Sequence, residues 1–420
     1  MTSNGQLPTD EPRSYWHATA PPPVPSDDLP AASEVVIVGG GMLGCWTAYW
    51  LARAGMKPTL IERTAISWGA TGRNGGLVRA GLAEGYTAAV QRIGEADARA
   101  IWQLSLAGQH LVGEIISQEA IDCDYRVQGS LSLWLDEATM VAGQRAAATL
   151  QAAGLGGVPL DRQGTQEHIL TPLGPEIVGG MSFPDGAQLH SARYLAGIAG
   201  AAQRHGARLC HASVRGLTPQ GDATLVETDR GTVHANAVIV AVNAWSDELV
   251  PSLRGVITPV RGQVLSYAPL PPVFTTGIGV SATPTGEYWQ QTLDGAIVLG
   301  GCRADAPGGD VGVREPVPTP EVQASLASLF PRLFPRLGGL RVERRWAGLM
   351  AFTHDYLPVV DRVPGLARAW FGGGFCGHGM PYGPRLGQLL AEAVATGETP
   401  ALLAPLRATR PTLALVGALD

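Results

Sequence analysis

Short apolar runs and helically spaced apolar positions alternate along the first part of the chain, which predicts strands that alternate with helices. Residues 34–38 form a β-branched apolar run typical of a buried parallel strand. The glycine-rich segment 39–44 follows directly and opens a helix of small and apolar residues over 45–54. A second strand over 58–61 ends at Glu62. This order predicts a β–α–β unit.

The rest of the chain continues the mixed pattern. Helical spacing is found over 86–119, 138–153 and 194–205, and strands are predicted over 126–135 and, as two short strands, over 213–229. The run 238–242 is apolar throughout, so we expect it in a sheet covered on both faces. Residues 287–299 predict a β-hairpin, because Asp294 and Gly295 form a turn dipeptide between two strand-like segments. The polar, proline-rich N-terminal arm is expected to pack through Tyr15 and Trp16 without regular structure.

Composition and charge exclude several classes of protein. With 45% hydrophobic and 16% charged residues over 420 positions, the chain is predicted to be a soluble globular protein. A net charge of −6 argues against nucleic-acid binding. Five dispersed cysteines predict buried thiols in a reducing compartment, without a metal site or disulfide frame. No export signal or membrane-spanning apolar run is found, so we expect no membrane insertion and a cytoplasmic location.

Gly39, Gly41 and Gly44 form a GxGxxG fingerprint between the predicted strand and helix, and Glu62 ends the next strand eighteen residues beyond Gly44. Glycines let the backbone approach a pyrophosphate, the helix N-terminus offers unpaired N–H groups, and a carboxylate accepts hydrogen bonds from ribose hydroxyls. The alternative is a tight turn that binds nothing. The fingerprint therefore predicts a dinucleotide site, without separating NAD from FAD.

Further motifs follow in order along nearly the whole chain. They are Ser14-Tyr-Trp16, the sequence Gly-Ala-Thr-Gly-Arg-Asn-Gly-Gly over 69–76, Pro259-Val-Arg-Gly-Gln263, Trp346-Ala-Gly348, Asp355-Tyr-Leu-Pro358 and the sequence Gly-Phe-Cys-Gly-His-Gly-Met over 374–380. Together they resemble the FAD-dependent D-amino-acid oxidase (DAO) superfamily in its glycine and sarcosine oxidase branch, and most closely its γ-glutamylputrescine oxidase-like group.

The resemblance implies an α/β (α+β) fold, with a FAD-binding Rossmann-like domain and a second, mainly antiparallel β-sheet substrate domain. It divides the chain into an N-terminal arm (1–33), a discontinuous FAD-binding domain (34–85, 185–260 and 340–400), a substrate domain (86–184 and 261–339) and a C-terminal tail (401–420). The motifs and the resemblance together predict the cofactor-binding residues Gly39, Gly41, Met42, Leu43, Gly44, Glu62, Arg63, Ala70, Thr71, Arg73, Asn74, Gly75, Gly76, Val214, Trp245, Gly348, Gly374, Cys376, Gly377, His378, Gly379 and Met380.

The glycines of segment 372–379 let the backbone approach a flat group closely, and the helix expected over about 385–396 directs its N-terminus toward it. Such a helix dipole stabilises an anionic reduced flavin. A glycine-rich surface turn is the alternative. In some relatives the flavin is tethered to a cysteine or histidine. The hairpin around Tyr288 lacks cysteine and no histidine neighbours residues 74–76, so noncovalent FAD is expected.

The resemblance implies hydride transfer from an amine-bearing carbon of a small amine or amino acid to flavin N5, followed by imine hydrolysis. Arg79 lies where similar sarcosine oxidases place a carboxylate-binding arginine, and its donor fork suits a carboxylate. Alternatively, Arg79 is a surface residue or pairs with Glu84. Aromatic residues in the predicted pocket, or in ordinary core, are Tyr288, Trp289 and Trp346. The predicted catalytic residues are Arg79, Tyr288 and His378.

The sequence leaves alternatives for the electron acceptor. Pro381 occupies the position at which similar sarcosine oxidases have a lysine that helps to activate O₂, and Lys57, the only lysine, precedes the second strand. Either another cation, His378 or His354, assists O₂, or the enzyme is a dehydrogenase that reduces a quinone or an electron-transfer protein. An NAD-dependent dehydrogenase is a third alternative.

Two further residues have predicted local roles. Ser191 is expected to N-cap the helix that follows it. Tyr382 is a candidate for hydrogen bonding to the substrate.

Overall fold

The computed structural model describes residues 12–414, so parts of the predicted arm (1–11) and tail (415–420) lie outside the described residues. The strands in this range are β1 (Ala32–Val38), β2 (Pro58–Glu62), β3 (Leu77–Val78), β4 (Arg126–Val127), β5 (Ser130–Trp134), β6 (Val158–Asp161), β7 (Gly179–Phe183), β8 (Ala187–Gln188), β9 (Arg208–His211), β10 (Val214–Gln220), β11 (Ala223–Thr228), β12 (Gly231–Val240), β13 (Thr258–Tyr267), β14 (Gly277–Val280), β15 (Glu287–Gln291), β16 (Ile297–Gly300), β17 (Val342–Phe352), β18 (Val359–Arg362) and β19 (Ala369–Gly373).

The α-helices in the same range are α1 (Tyr15–Thr19), α2 (Met42–Arg53), α3 (Tyr86–Ile93), α4 (Glu95–Gln118), α5 (Glu137–Ala152), α6 (Arg162–Glu167), α7 (Ser191–Arg204), α8 (Ser246–Leu249), α9 (Pro320–Leu333), α10 (Gly379–Thr396) and α11 (Pro411–Ala414).

The first sheet is a Rossmann-like parallel sheet with antiparallel extensions. Strands β9, β2, β1, β12 and β19 lie side by side and run parallel. The antiparallel strands β10 and β11 extend it beyond β12, and β18 pairs antiparallel with β19. Successive residues of β12 face opposite layers, since Ile239 packs with the helices while Val238 and Val240 pack in a separate cluster. The prediction that this apolar run is covered on both faces is confirmed.

The second sheet has the order β17-β13-β16-β15-β14-β5-β7-β6, and only the β14–β5 pair is parallel. The predicted hairpin is confirmed as β15 and β16. One face of this sheet packs its apolar residues, Trp289 and Leu299 among them, against Phe330 of α9. Strands β3, β8 and β4 form a small third sheet. The predicted fold class, a Rossmann-like unit with a mainly antiparallel second sheet, is confirmed.

Helices α2, α4, α7 and α10 form the layer on one face of the first sheet. Gly108 of α4 lets two of them meet closely, because a Cβ there would collide with the carbonyl oxygen of Pro381 in the first turn of α10. The helix predicted over 86–119 is interrupted at Gly94, whose φ of 84° ends α3 and precedes α4. Helix α4 thereby supports the N-terminal turn of α10.

Two elements cross the predicted domain division, which itself remains a prediction. Strand β17, expected in the cofactor segment 340–400, pairs with β13 in the second sheet. Helix α4, expected in the substrate segment 86–184, buries Val112 and Ile115 in the core beside the first sheet. Strand β17 thus joins the second sheet through its backbone pairing, whereas α4 joins the first through its apolar face.

The N-terminal arm contains a helix, contrary to the expectation of no regular structure. The hydroxyl of Ser14 caps α1, accepting from the N–H of His17 at 3.1 Å and donating to the carbonyl of Gly72 at 2.6 Å. Tyr15 and Trp16 are buried as predicted. The Tyr15 hydroxyl donates to the Asp294 carboxylate at 2.8 Å, which joins the arm to the β15–β16 turn.

A buried ion pair fixes the C-terminal segment to the first sheet unit. Arg410 donates to both carboxylate oxygens of Asp355, at 2.6 and 2.8 Å. Burial alone would raise the pKa of Asp355, but the Arg410 guanidinium and the Thr412 hydroxyl outweigh it and hold this pKa below its usual value.

Candidate active site

A cavity of about 1060 Å³ lies between the two large sheets. Its wall includes the carboxyl ends of β1, β2 and β12, the loop 68–75, the segment 375–381, and residues of β5, β14, β15 and β17. Ligands of open α/β sheets bind at such carboxyl ends. The cavity therefore joins the predicted dinucleotide site to the face of the second sheet.

The GxGxxG turn has the tight geometry that its glycines require. Gly39 has a φ of 109°, and a Cβ there would lie 2.7 Å from the carbonyl oxygen of Ala241. A Cβ on Gly44 would collide with the carbonyl of Gly39, so Gly44 allows α2 to pack closely against the glycine turn. Gly44 itself is not part of the cavity wall. At Gly41 the nearest atom to a Cβ is the Thr71 hydroxyl oxygen, 3.8 Å away. Gly41 thus leaves open the approach that a pyrophosphate needs.

Helix α2 begins at this turn without a side-chain cap on Gly41. The N–H of Met42 donates to the Thr71 hydroxyl at 3.2 Å, and Met42 and Leu43 line the cavity. An uncapped helix N-terminus presents N–H groups and a positive partial charge to an anion.

Glu62 is placed at the end of β2 by two backbone hydrogen bonds. Its carboxylate accepts from the N–H of Gly40 at 2.7 Å and from the N–H of Thr64 at 2.8 Å. Burial raises the pKa of Glu62, although these two N–H groups oppose the shift. The carboxylate lines the cavity beside the glycine turn, where it can accept from a ribose.

Arg63 and Trp245 form the outer end of this half of the cavity. The Arg63 guanidinium carbon lies 4.7 Å from the centroid of the Trp245 ring, and that of Arg314 lies 5.2 Å from it. Val214 lines the same cavity. A cation stacked on an aromatic ring is stabilised by the ring quadrupole, so Arg63 and Trp245 support each other in this part of the wall.

The loop 69–76 is held by its own polar groups. Asn74 accepts from the N–H of Gly76 at 2.8 Å and from the Ser191 hydroxyl at 2.7 Å. Arg73 donates to the carbonyls of Trp68 and Ala347, at 3.0 Å each, so its guanidinium ties the loop to β17. The loop is therefore rigid where it borders the cavity.

The glycine-rich C-terminal segment leads into α10. This helix begins at Gly379, earlier than the expected start near 385, and Gly379, Met380 and Pro381 line the cavity. His378 precedes the helix without a side-chain cap. The N-terminal turn of this helix thus borders the cavity.

Most of the predicted cofactor-binding and catalytic residues line the cavity, and three glycines lie behind its wall. Those that line the cavity are Gly39, Gly41, Met42, Leu43, Glu62, Arg63, Ala70, Thr71, Arg73, Asn74, Gly75, Val214, Trp245, Gly348, Cys376, Gly377, His378, Gly379, Met380, Arg79 and Tyr288. Gly44, Gly76 and Gly374 lie behind this wall, where a Cβ would collide with the Gly39 carbonyl, Gln290 and Thr353 respectively.

Arg79 lies in the wall without a carboxylate partner among residues 12–414. Its Nη1 donates to the hydroxyl of Ser132 at 3.0 Å, and its guanidinium carbon lies 4.7 Å from the Phe183 ring centroid. The alternative pairing with Glu84 is wrong, because Glu84 pairs with Arg92 at 2.7 Å. Burial lowers the pKa of Arg79, which Asp185 partly opposes. Arg79 is thus a half-buried cation that faces the cavity with most of its donors uncommitted.

Tyr288 belongs to a row of directly paired residues that crosses four strands of the second sheet. In this row Ser132 of β5 pairs with Gly279 of β14, Gly279 pairs with Tyr288 of β15, and Tyr288 pairs with Gly300 of β16. A Cβ on Gly75 would lie 2.6 Å from the Tyr288 ring, so the loop 69–76 touches it. Burial raises the pKa of Tyr288 to about 12, which keeps its hydroxyl neutral.

His378 is neutral at physiological pH. Burial, followed by the charge of Arg79, lowers its pKa to about 4. His354, the other histidine considered for O₂ activation, is exposed and lies outside the cavity wall. Of the two histidines considered, only His378 thus borders the cavity.

For Trp289 and Trp346 the core alternative holds, and the roles predicted for Tyr382 and Ser191 are wrong. Trp289 is core, because successive strand residues face opposite sides and Tyr288 faces the cavity. Trp346 is buried and donates from its indole to the Arg73 carbonyl at 2.9 Å. Tyr382 is buried and donates to the Gly81 carbonyl at 3.1 Å. His190, not Ser191, caps α7, its ring accepting from the N–H of Arg193 at 3.3 Å.

Sequence reasoning missed several wall residues on the second sheet side. They are Ser132, Arg303, Met350, Phe352 and Tyr356. Strand alternation offered a signal for two of them, because Met350 and Phe352 lie two and four residues beyond Gly348 on the same face of β17. The positions of the other three depend on contacts between distant segments.

The residues present fit a dinucleotide with a flat ring system. The turn at Gly41 and the start of α2 would hold the pyrophosphate, Glu62 the ribose, and Arg63 with Trp245 the adenine end. The N-terminus of α10 would face the ring system. All of these groups line one continuous cavity.

Comparison with known proteins identifies the class. Residues 34–393 match the model of the family described as DAO, FAD dependent oxidoreductase, and the chain belongs to this family. It is 26% identical over 398 residues to γ-glutamylputrescine oxidoreductase of Escherichia coli, covering 91% of this chain and 89% of the relative. It is 29% identical over 387 residues to glycine oxidase of Pseudomonas aeruginosa, covering 87% and 96%. The predicted resemblance is confirmed.

Solved structures agree in fold. A glycine oxidase from Bacillus cereus superposes with a TM-score of 0.77 at 19% identity, covering 90% of this chain and 99% of that one. The L-proline dehydrogenase from P. horikoshii superposes with a TM-score of 0.75 at 24% identity, covering 88% and 95%.

Three other properties bear on the expectations. All five cysteines are free and buried, as predicted. Among residues 12–414, no helix is long and apolar enough to cross a bilayer. The same range contains no group of three or more His, Cys, Asp or Glu side chains that could hold a metal ion.

Proposed function

We propose that this enzyme oxidises a C–N bond of a small amine or amino acid that bears a carboxylate, using noncovalent FAD and passing the electrons to O₂. The observation that carries the proposal is Arg79, a half-buried guanidinium without a carboxylate partner in the described chain, on the wall shared with the dinucleotide turn. The relatives named for glycine and for γ-glutamylputrescine support an amine substrate.

FAD, when bound, supplies the two-electron acceptor for this chemistry. The substrate loses a hydride from the carbon and a proton from the nitrogen, and water then hydrolyses the resulting imine. Arg79 binds the carboxylate and its charge disfavours the ammonium form of the substrate, which must be neutral to react. Tyr288 and the neutral His378 border the same space and can donate or accept a hydrogen bond there.

Two further features support noncovalent binding and a cytoplasmic location. Cys376 is the one cysteine in the cavity wall of the described chain, and burial raises its pKa to about 11, so it is a thiol with little nucleophilic character. The free, buried state of all five cysteines is compatible with a reducing compartment. Acid precipitation should release the flavin into the supernatant.

The alternative acceptor is a quinone or an electron-transfer protein. Pro381 lines the cavity, Lys57 is exposed far along the first sheet unit, and the chain is 26% identical over 392 residues to D-amino acid dehydrogenase of Cereibacter sphaeroides. If O₂ is the acceptor, Arg79 would supply the positive charge that favours its reduction, since the charge of Arg79 also lowers the pKa of His378.

The test has two stages. Anaerobic mixing with a panel of secondary amines, glycine, sarcosine, and D- and L-amino acids should bleach the flavin with at least one carboxylate-bearing member. Mixing the reduced enzyme with air should then restore the colour within the time of a turnover. Slow reoxidation by air but fast reoxidation by a quinone would assign a dehydrogenase, and a flavin that no amine reduces would overturn the proposal.

A further inference from the structure

A second arginine, Arg303, lies in the wall of the same cavity and belongs to no role described so far. Its guanidinium carbon lies 5.0 Å from the centroid of Phe352, and Nη1 donates to the carbonyl of Gly309 at 3.3 Å. No carboxylate within residues 12–414 lies within ion-pair distance of it. The nearby Asp310 is committed to Arg261 at 2.6 Å.

The surroundings of Arg303 resemble those of Arg79 in kind. Each guanidinium lies over one aromatic ring, forms no ion pair with a carboxylate of the described chain, and donates one hydrogen bond, at 3.0 Å for Arg79 and 3.3 Å for Arg303. Burial lowers the pKa of both groups. A partly desolvated cation that lacks a partner is costly to maintain, so an anionic ligand is the expected counterpart.

The strand order separates the two cations. Arg79 donates to Ser132 of β5, whereas the guanidinium of Arg303 lies over Phe352, the last residue of β17. Strands β14, β15, β16 and β13 lie between β5 and β17 in the second sheet. The two arginines are therefore held over different parts of the second sheet, with Tyr288 of β15 on a strand between them.

Glycines on both sides of Tyr288 shape this part of the wall. Gly279 lines the cavity, and a Cβ there would approach only the Glu287 carbonyl oxygen, at 3.8 Å. The Tyr288 ring covers Gly300, because a Cβ there would lie 2.5 Å from the ring. A molecule that contacts both arginines would therefore border Gly279 and the Tyr288 ring.

We propose that the substrate carries two anionic groups, with the carboxylate beside the reacting amine bound by Arg79 and a second carboxylate, several bonds away, bound by Arg303. The substrate class is an N-substituted or side-chain-extended amino acid with a distal acid. This inference rests on the proposed function, which supplies the amine oxidation. Arg303 acts as a specificity-determining residue for the distal group.

The kinetic test compares N-(ω-carboxyalkyl)glycines of increasing linker length with N-alkylglycines of equal length. We expect kcat/KM for flavin reduction to be at least ~10-fold higher for the diacids at the best length, the effect of about one charge-assisted hydrogen bond. Arg303→Met should abolish this ratio, and Arg303→Lys should restore part of it. The exposed Arg254, which lies outside the cavity wall, gives a matched control as Arg254→Met with an unchanged ratio.

A binding measurement separates this inference from the proposed function. Titration calorimetry of the holoenzyme with glutarate, adipate and butyrate should give tighter binding of a dicarboxylate, lost in Arg303→Met and independent of any turnover. Equal binding of mono- and dicarboxylates, or a diacid preference that survives Arg303→Met in a folded, flavin-loaded variant, would overturn it. If dicarboxylates bind through Arg303 but no amine reduces the flavin, the proposed function fails while the second anion site stands.

Discussion

Substitution of Arg79 by methionine separates a binding role from a structural one. Methionine keeps much of the apolar stem that packs near Phe183 and removes the charge and the hydrogen bond to Ser132. Because Arg79 has no carboxylate partner in the described chain, the change leaves no buried charge unpaired. We expect the free energy of unfolding to change by only about 1 kcal/mol, the value of one hydrogen bond.

The effect on a carboxylate substrate should be much larger. A bidentate guanidinium–carboxylate contact comprises two charge-assisted hydrogen bonds of about 1.5 kcal/mol or more each, so about 3 kcal/mol is lost. At about 1.4 kcal/mol per factor of ten, kcat/KM should fall at least about 100-fold. For the matching neutral amide the fall should be less than about threefold, because the amide cannot form the charged pair.

Stopped-flow reduction under anaerobic conditions measures both substrates directly. Arg79→Lys is the informative companion variant, since it keeps the charge without the planar fork and should recover part of the loss. Arg92→Met removes an arginine that pairs with Glu84 outside the wall and serves as the control. Equal losses for acid and amide, or no loss for either, would remove Arg79 from the substrate site.

Three other substitutions test the cofactor site, the fold and the electrostatics. Gly44→Ala should yield protein with little bound flavin by absorbance, because its Cβ collides with the turn backbone; full flavin content would contradict the packing role. Arg410→Met should cost about 3–5 kcal/mol in urea unfolding near neutral pH. The pKa of Asp355 is lower in the folded state than in the unfolded state, where it is about 4. The ion pair therefore stabilises the fold fully above the unfolded-state pKa, and this stabilisation is lost as the pH falls through the lower folded-state pKa. A loss of stability in Arg410→Met that is equally large at low pH would contradict this. Arg79→Met should raise the pKa of His378 from about 4 toward its usual value, as NMR titration of the ring would show, and an unmoved pKa would mean that burial alone sets it.

The cofactor half of the site could be predicted from sequence because its chemistry is local. Gly39, Gly41 and Gly44 lie within one turn, and Glu62 follows at the end of the next strand, so neighbouring residues decide the geometry. The same holds for the glycines before α10. Within this half, Gly44 and Gly76 lie behind the cavity wall, where they allow close packing. The sequence could not distinguish them from glycines that line the cavity, because a glycine needed for close packing looks the same in the sequence as one needed for ligand approach.

The substrate half depends on contacts between distant segments. Ser132 and Gly300 share one row only because β14 and β15 lie between β5 and β16, and nothing local specifies that order. Arg303 follows a strand whose sequence carries no catalytic motif. The choice between pocket and core for Trp289 had a local answer, since strand alternation allows only one of Tyr288 and Trp289 to face the cavity. The capping error at Ser191 arose because a histidine ring accepted the hydrogen bond that a serine hydroxyl more often accepts.

The contacts of α1 also constrain the order in which the chain can fold. Tyr15 meets Asp294 across a separation of 279 residues, and the Trp16 indole donates to the Asn74 carbonyl at 2.7 Å. During synthesis Asp294 emerges long after the arm itself. The arm can therefore dock completely only after the β15–β16 turn has formed, late in folding. Proteolytic protection at Tyr15 and Trp16 therefore reports that both large sheets have assembled.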